Sequence, residues 1–403
     1  HINVVKPLGA LEAAQGRDVV FAPGYDPRTE QTDEAMLAEA VAAAKAAQVA
    51  VVFAGLPNSF ETEGCDRETL DMPRNQNELI AAVAAANPNT VVVLHGGAPM
   101  LLPWLDQVKA VLCMHLGGQQ VGGAVVKVLW GEQNPSGRLA ESWPLSLEDT
   151  PAFLNFPGEE GVVEYHEKIY IGYRYYDKKK MNVLFPFGHG LSYAQFAYSD
   201  LRLDKEQLDD TQTLTVSCKV KNVGSVAGKE VVQLYIGDKL STVSRPVREL
   251  HGFEKVELQP GEEKEVVFTL DKRAFAYYEP KIHDWFVESG EFTVEVGASS
   301  RDIRLCAQVC VNGTVEIPVT FGYSSIVGDL MKTAKGRAFV EGMMQKVMSG
   351  GAIEAEEGAL KNMGEGAEKM FRHMMLEMPL QTIVSFGMMS QEQLDGLLAM
   401  LNS

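Results

Sequence analysis

The stretch from Leu56 to Pro73 places Glu61, Glu63, Asp66, Glu68 and Asp71 inside eleven positions, with Arg67 among them. Crowded carboxylates raise one another's pKa, most of all for the one best shielded from water. A carboxyl held protonated near neutral pH is a general acid. Arg67 acts in the opposite sense, favouring the charged forms. Gly64 lets the backbone turn sharply beside Glu63. The plainer reading is a solvated acidic loop, because surface loops commonly carry such charge.

Other reactive side chains are scattered. His95 and His115 close two apolar runs, where an imidazole commonly satisfies local hydrogen bonds, so a structural role is expected of each. The run Gly117-Gly-Gln-Gln-Val-Gly-Gly123 lacks both the dinucleotide fingerprint and a P-loop lysine, and reads as close helix–strand packing. The five cysteines form neither a disulfide framework nor a zinc knuckle, so no metal and no cofactor is expected. Cys306 and Cys310 share one face of a strand and are expected to be buried as two small side chains. The aromatic residues from Tyr165 to Tyr176, with Phe185 and Phe187, suit sugar stacking, yet most are expected to clamp a connector. Trp285 is expected in a core or at a rim.

The elements that position these residues follow from periodicity. Glu30 to Gln48 reads as an Ala-rich helix, and Val49 to Ala54 is an apolar run ending at Gly55, as expected of a strand buried on both faces. Helix then recurs over Gln76–Ala86 and Val121–Trp130, and strand over Thr90–Leu94 and Ala110–Met114. Strands alternating with helices imply a parallel sheet whose ligands sit at the carboxyl ends of strands. The loops after Gly55, His95 and His115 are therefore the places for chemistry.

The fold class expected is an α/β, Rossmann-like sandwich over residues 1–155, incomplete at its N-terminus, and an aromatic and glycine-containing connector over 156–196. Short alternating strands at Leu214–Val220, Glu230–Ile236, Glu265–Leu270 and Glu291–Val296 then predict an all-β, immunoglobulin-like or fibronectin type III-like sandwich over 197–318. A Met-rich helical extension follows over 319–403, broken at Ser349-Gly-Gly. Its methionines suit an adaptable apolar docking face, whether for self-association through it or for packing against the enzyme's own surface.

The net charge of −18, in a chain that is 46% hydrophobic, describes an acidic globular protein with no nucleic-acid partner. No apolar run reaches the ~18 residues of a membrane span, so no membrane partner is expected. Reduced thiols suit the cytoplasm. A chain opening on His1 reads as a product of cleavage or of a chosen boundary, lying inside the first domain.

Ordered motifs sharpen this reading. Glu61-Thr-Glu-Gly-Cys-Asp-Arg-Glu-Thr-Leu-Asp-Met-Pro73, followed by Gln76-Asn-Glu-Leu-Ile80, resembles the acid/base loop of glycoside hydrolase family 3, the β-glucosidases and their relatives. The stretches Thr90-Val-Val-Val-Leu94, Gly97-Ala-Pro99, Leu129-Trp-Gly131 and Asn134-Pro-Ser-Gly-Arg-Leu139 are similar in order. So are Gly172-Tyr-Arg-Tyr-Tyr176 and Phe185-Pro-Phe-Gly-His-Gly-Leu-Ser-Tyr193. The segment from Val220 to Tyr235 and Leu250-His-Gly-Phe-Glu-Lys-Val256 resemble the family's fibronectin type III-like domain, and the Met-rich tail is similar to an extension of some bacterial members.

This resemblance implies an exo-acting, retaining β-glucosidase in which Glu63 is the general acid/base and an Asp on a (β/α)8 barrel is the nucleophile. Retention needs two carboxyls about 5–5.5 Å apart. Glu61 and Glu63, if extended, share a face but leave no room for a sugar held from both sides. The second carboxylate is thus expected from a barrel-containing upstream segment or chain, and the isolated chain is expected not to hydrolyse glucosides. The substrate implied is a β-glucoside or oligosaccharide. The alternatives are a β-xylosidase or other β-glycosidase of the same family, and a non-catalytic carbohydrate-binding or assembly module.

Overall fold

The computed structural model describes residues 9–348 and 365–402. Two compact units emerge, the first comprising His1–Tyr277 with Phe286–Thr314, the second Tyr278–Trp285 with Val315–Ser403.

The first unit opens with α1 (Ala10–Ala13), α2 (Glu34–Ala46), β1 (Ala50–Gly55), α3 (Arg74–Ala86), β2 (Thr90–His95), β3 (Ala110–Cys113) and α4 (Val121–Leu129). Asp33 starts α2 by accepting hydrogen bonds from the backbone N–H groups of Ala35 and Met36, satisfying donors that a helix start leaves unpaired. Asn87 ends α3 and donates its amide to the carbonyls of Ala44 and Ala47, so the ends of α2 and α3 are fastened together. The strands form a parallel sheet in the order β1-β2-β3.

One face of β1 meets the helices: Ala50, Val52 and Ala54 pack with Ala44, Leu79, Ile80 and Val83. The expectation that this strand is buried on both faces is not met among the described residues. Val51 and Phe53 remain 38% and 37% exposed, because α2 and α3 cover only the side to which Ala50, Val52 and Ala54 point.

Beyond α5 (Tyr173–Lys178) the chain becomes all-β. The strands are β4 (Phe196–Leu203), β5 (Gln207–Asp209), β6 (Leu214–Asn222), β7 (Gly228–Asp238), β8 (Glu249–Leu258), β9 (Glu263–Leu270), β10 (Tyr277–Glu279), β11 (Asp284–Phe286), β12 (Gly290–Ser299) and β13 (Asp302–Asn312). One sheet has the order β5-β13-β12-β7-β8, another β4-β6-β9. Alternation sends Leu214, Val216, Val220, Leu234, Phe292, Val294 and Val296 into a core with no accessible surface.

On β13 the inward positions are taken by Val309 and Val311, which places Cys306 and Cys310 on the exposed face opposite Glu295 and Glu291 of β12. The two cysteines share a face as expected, but it is the solvent face. The connector is fastened to this sheet: Tyr173 stacks on Phe187 at 4.7 Å and its hydroxyl accepts from the Leu250 N–H. Arg138 pairs with Glu230 of β7 at 2.8 Å, both side chains being under a tenth exposed. Tyr165, by contrast, is 80% exposed and clamps nothing.

In the second unit, Tyr278 and Trp285 meet edge-to-face at 5.8 Å. Its helices are α6 (Ala334–Met348), α7 (Glu365–Leu376), α8 (Leu380–Ser385) and α9 (Gln391–Leu401). Val327, Leu330, Leu380 and Leu394 form a fully buried centre, against which Met331, Met343, Met378, Met388 and Met389 pack. Much of the methionine content therefore serves this unit's own core, while Met370, Met374 and Met400 are exposed. The Ser349-Gly-Gly break lies outside the described residues. No described helix is long and apolar enough to cross a membrane.

Candidate active site

The parallel register sets Gly55 beside His95 and Leu94 beside Cys113. Three loops therefore leave the same edge of the sheet side by side, where an α/β sheet presents its functional groups.

The exit from β1 is held by a residue that sequence reasoning did not single out for this role. Gln76, buried in the first turn of α3, accepts from the Gly55 N–H at 2.7 Å and donates to the Gly55 carbonyl at 2.9 Å. The Leu56 N–H then donates to the His95 carbonyl, and a Cβ on Gly55 would lie 2.0 Å from that same oxygen. Only glycine fits there. The available signal was an amide in the first turn of a helix that follows directly on the acidic loop.

The loop itself folds from both ends toward its middle. Phe60 and Glu61 donate their N–H groups to the Pro57 carbonyl, and Thr62 bridges to Cys65, so Glu63 and Gly64 form the tip of a tight turn. The Glu61 carboxylate accepts the Gly97 N–H with both oxygens, at 2.8 and 2.9 Å. On the far side of the tip, Arg67 donates to the carbonyls of Pro99 at 2.7 Å and Asp71 at 3.2 Å. The Leu101 N–H donates to the Leu70 carbonyl at 2.8 Å. Burial pushes the Arg67 pKa down, while the carboxylates of Glu61 and Asp71 act the other way.

Glu63 is exposed and has no hydrogen bond or ion pair among the described residues. Its neighbours are anchored, and its own carboxyl projects from the turn. Of the five acidic residues in the loop, Asp71 is engaged locally, its carboxylate accepting from the Thr69 hydroxyl at 3.0 Å, and Glu61 is engaged across to the next loop. The chemistry open to an exposed carboxyl of this kind is to give or to accept a proton.

The two strand-end histidines serve the sheet edge. His95 stacks on Phe53 with ring centroids 6.4 Å apart, and burial lowers its pKa against a hydrogen bond to the His115 backbone. His115 has a left-handed backbone with φ of 47° and its ring nitrogen lies 3.6 Å from the Cys113 sulfur. Burial raises the pKa of the Cys113 thiol and of the Glu141 carboxyl. A cavity of about 620 Å³ opens on the connector, lined by His166, Tyr170, Tyr175 and Lys179 among others, and none of its lining comes from the Glu63 loop. No group of three or more metal-ligating side chains occurs among the described residues.

Residues 2–193 match the glycosyl hydrolase family 3 C-terminal domain, and residues 230–300 match the fibronectin type III-like domain. The chain is 48% identical over 388 residues to thermostable beta-glucosidase B of Acetivibrio thermocellus, covering 96% of this chain and 50% of that protein. This chain belongs to glycosyl hydrolase family 3. It corresponds to the C-terminal part of a β-glucosidase-like glycosidase and spans about half the length of the relatives it matches. The exo-alpha-(1->6)-L-arabinopyranosidase of Bifidobacterium longum is 40% identical over 95% of this chain and 49% of its own length. Among solved structures, the GH3 beta-glucosidase of Bifidobacterium adolescentis superposes with a TM-score of 0.79 at 43% identity, over 84% of this chain and 50% of that one. The α/β sheet followed by a β-sandwich is thus shared with a solved family 3 beta-glucosidase, and sequence relatives occur in fungi as well as bacteria.

Proposed function

We propose that this chain is the acid/base-bearing half of a retaining, exo-acting β-glucosidase, with Glu63 as the general acid/base. The observation that carries the reading is the placement of Glu63: at the tip of an anchored turn, on the functional edge of the sheet, without a hydrogen bond or ion pair among the described residues.

In the first step an Asp of the upstream half attacks the anomeric carbon, and Glu63 gives its proton to the departing glycosidic oxygen. In the second, the Glu63 carboxylate takes a proton from the water that attacks the same carbon and releases the sugar with its configuration retained. Both steps need Glu63 to be held without being neutralised by a neighbour, and the loop does this by fastening residues on either side of it.

The test uses the complete enzyme, this chain joined to the N-terminal half that its relatives carry. Glu63→Gln should lower kcat/KM for oligosaccharides by about 10²–10⁴-fold and for activated aryl glucosides much less, because a good leaving group needs no protonation in the first step. Equal loss on both classes argues against an acid role. Turnover of an aryl β-glucoside by the isolated chain would sink the division of labour between two halves.

A second reading rests on the arabinopyranosidase relatives, which match this chain nearly end to end. Under it the mechanism is unchanged and the sugar is an α-L-arabinopyranoside. Comparing kcat/KM for aryl β-D-glucopyranoside, β-D-xylopyranoside and α-L-arabinopyranoside decides between them.

A further inference from the structure

The Glu63 carboxyl has no hydrogen bond or ion pair among the described residues, so what fixes its position acts through the backbone on either side. Four residues on, Arg67 is tied to the Pro99 carbonyl. Two residues before, Glu61 is tied to Gly97. Both staples end on the same partner, the loop that leaves β2.

The Glu61 staple has the features of a built contact. One N–H is held between two carboxylate oxygens at nearly equal distances, which sets the plane of the carboxylate as well as its location. A hydrogen bond to an ionised acceptor is roughly twice as strong as a neutral one. A Cβ on Gly97 would stand 2.6 Å from the Glu61 oxygen and 3.3 Å from Leu116 of the loop after β3, so a larger residue there would have to push the carboxylate aside. All three strand-end loops therefore converge at Gly97. The remaining loop acids Asp66 and Glu68 are exposed.

We infer that Glu61 is a positioning residue for Glu63, its carboxylate clamping the Gly97 N–H so that the Thr62–Cys65 turn presents the acid/base in a fixed place. This rests on the reading of Glu63 as the acid/base, and extends it by assigning work to a second carboxylate that touches no substrate. Such a clamp matters because a displacement of about 1 Å at a reacting group can cost ~10²-fold in rate.

Two measurements test it. In the 403-residue chain, the Gly97 amide should exchange with solvent slowly, Glu61→Ala should speed its exchange at least about tenfold, and Glu61→Gln, which keeps a carbonyl acceptor, should speed it less. Unchanged exchange in Glu61→Ala overturns the clamp. Gly97→Ala provides the same break from the opposite side, should Glu61→Ala fold poorly.

In the complete enzyme, Glu61→Ala should lower kcat on a poor-leaving-group glucoside by about 10–100-fold with KM within about twofold, and Glu61→Gln should recover most of it. Placed in a Glu63→Ala background, Glu61→Ala should change kcat by less than about twofold, because a residue acting only through Glu63 has nothing left to position. A further loss of full size in that background overturns the inference. A Glu63→Ala enzyme with undiminished turnover overturns instead the acid/base reading, and the inference with it, even with the Gly97 amide protected.

Discussion

The edge of the α/β sheet and the heart of the β-sandwich treat their residues in opposite ways. In the sandwich, β7 runs between β12 and β8 with ladder partners on both sides, and Val232, Leu234 and Tyr235 have no accessible surface. At the sheet edge, β1 ends on a glycine held by a single buried amide, and the loop beyond it is fastened at Glu61 and Arg67 while its tip stands in the open. One region spends its interactions on itself. The other leaves carboxyls uncommitted, Glu63 at its tip among them, which is the condition for acting on something else.

The contrast is measurable as stability of the chain in urea. Phe292, fully buried and edge-on to Phe275 at 5.2 Å, belongs to the committed region. Phe292→Ala should cost ~3–5 kcal/mol, read as a large fall in the unfolding midpoint. A loss below about 1 kcal/mol would mean that the sandwich core tolerates a cavity and is not the committed region described above.

Arg67→Ala tests the staple between the regions of the sheet edge. It leaves the Pro99 carbonyl without its guanidinium donor and should cost roughly 1–3 kcal/mol. The companion change, faster exchange of loop amides with no change in sandwich amides, would show by native-state hydrogen exchange that the damage stays local.

A smaller effect is expected from pH. His251 has a buried Nε2 with no hydrogen-bond partner among the described residues, and burial lowers its pKa, more than the Glu249 carboxylate raises it. His95 and His189 are lowered for the same leading reason. A histidine whose folded pKa is depressed takes up more protons when unfolded. Its contribution is therefore fully present above the unfolded value of about 6.5 and is lost as pH falls through the folded one. The urea midpoint should drift downward from pH 7.5 to 5.5, and His251→Gln should flatten the drift. An upward drift would contradict the burial argument.

The smallest effect belongs to the tip. Glu63→Ala should leave the midpoint within about 0.5 kcal/mol of wild type, as for surface substitutions away from any contact. A large loss would show that Glu63 is committed to the fold after all, and would bring the two regions closer together.

Much of this molecule could be read along the chain because its signals are local. Apolar β-branched runs bounded by Gly or Asn-Pro marked β1 and β2, and the alternation of Leu214 to Val220 marked a strand of the sandwich. The run from Glu61 to Pro73 marked the loop by its acids and its likeness to a family. What escaped depends on relations between distant segments. That Glu61 meets Gly97 follows from the register Gly55↔His95, which no property of either residue announces. Gln76 looked like an ordinary helix residue until its amide was found capping β1. Alternation showed that Cys306 and Cys310 share a face, but which face turns inward depends on the volumes of Val309 and Val311 and on what packs opposite them. Likewise the open side of Val51 and Phe53 reflects where α2 and α3 happen to lie.

The Arg138–Glu230 pair has a consequence for how the chain can be divided. It joins the segment after α4 to a central strand of the sandwich, with both charges almost out of water. Removing one partner of such a pair leaves the other charge buried and uncompensated, at a cost of about 3–5 kcal/mol. A cut before Phe196 would do that to Arg138 and would also take from Tyr173 the Leu250 N–H that its hydroxyl accepts. The sandwich is thus a poor candidate for a detachable module, and an engineer exchanging it between relatives should carry the connector from Asn134 onward in the same piece.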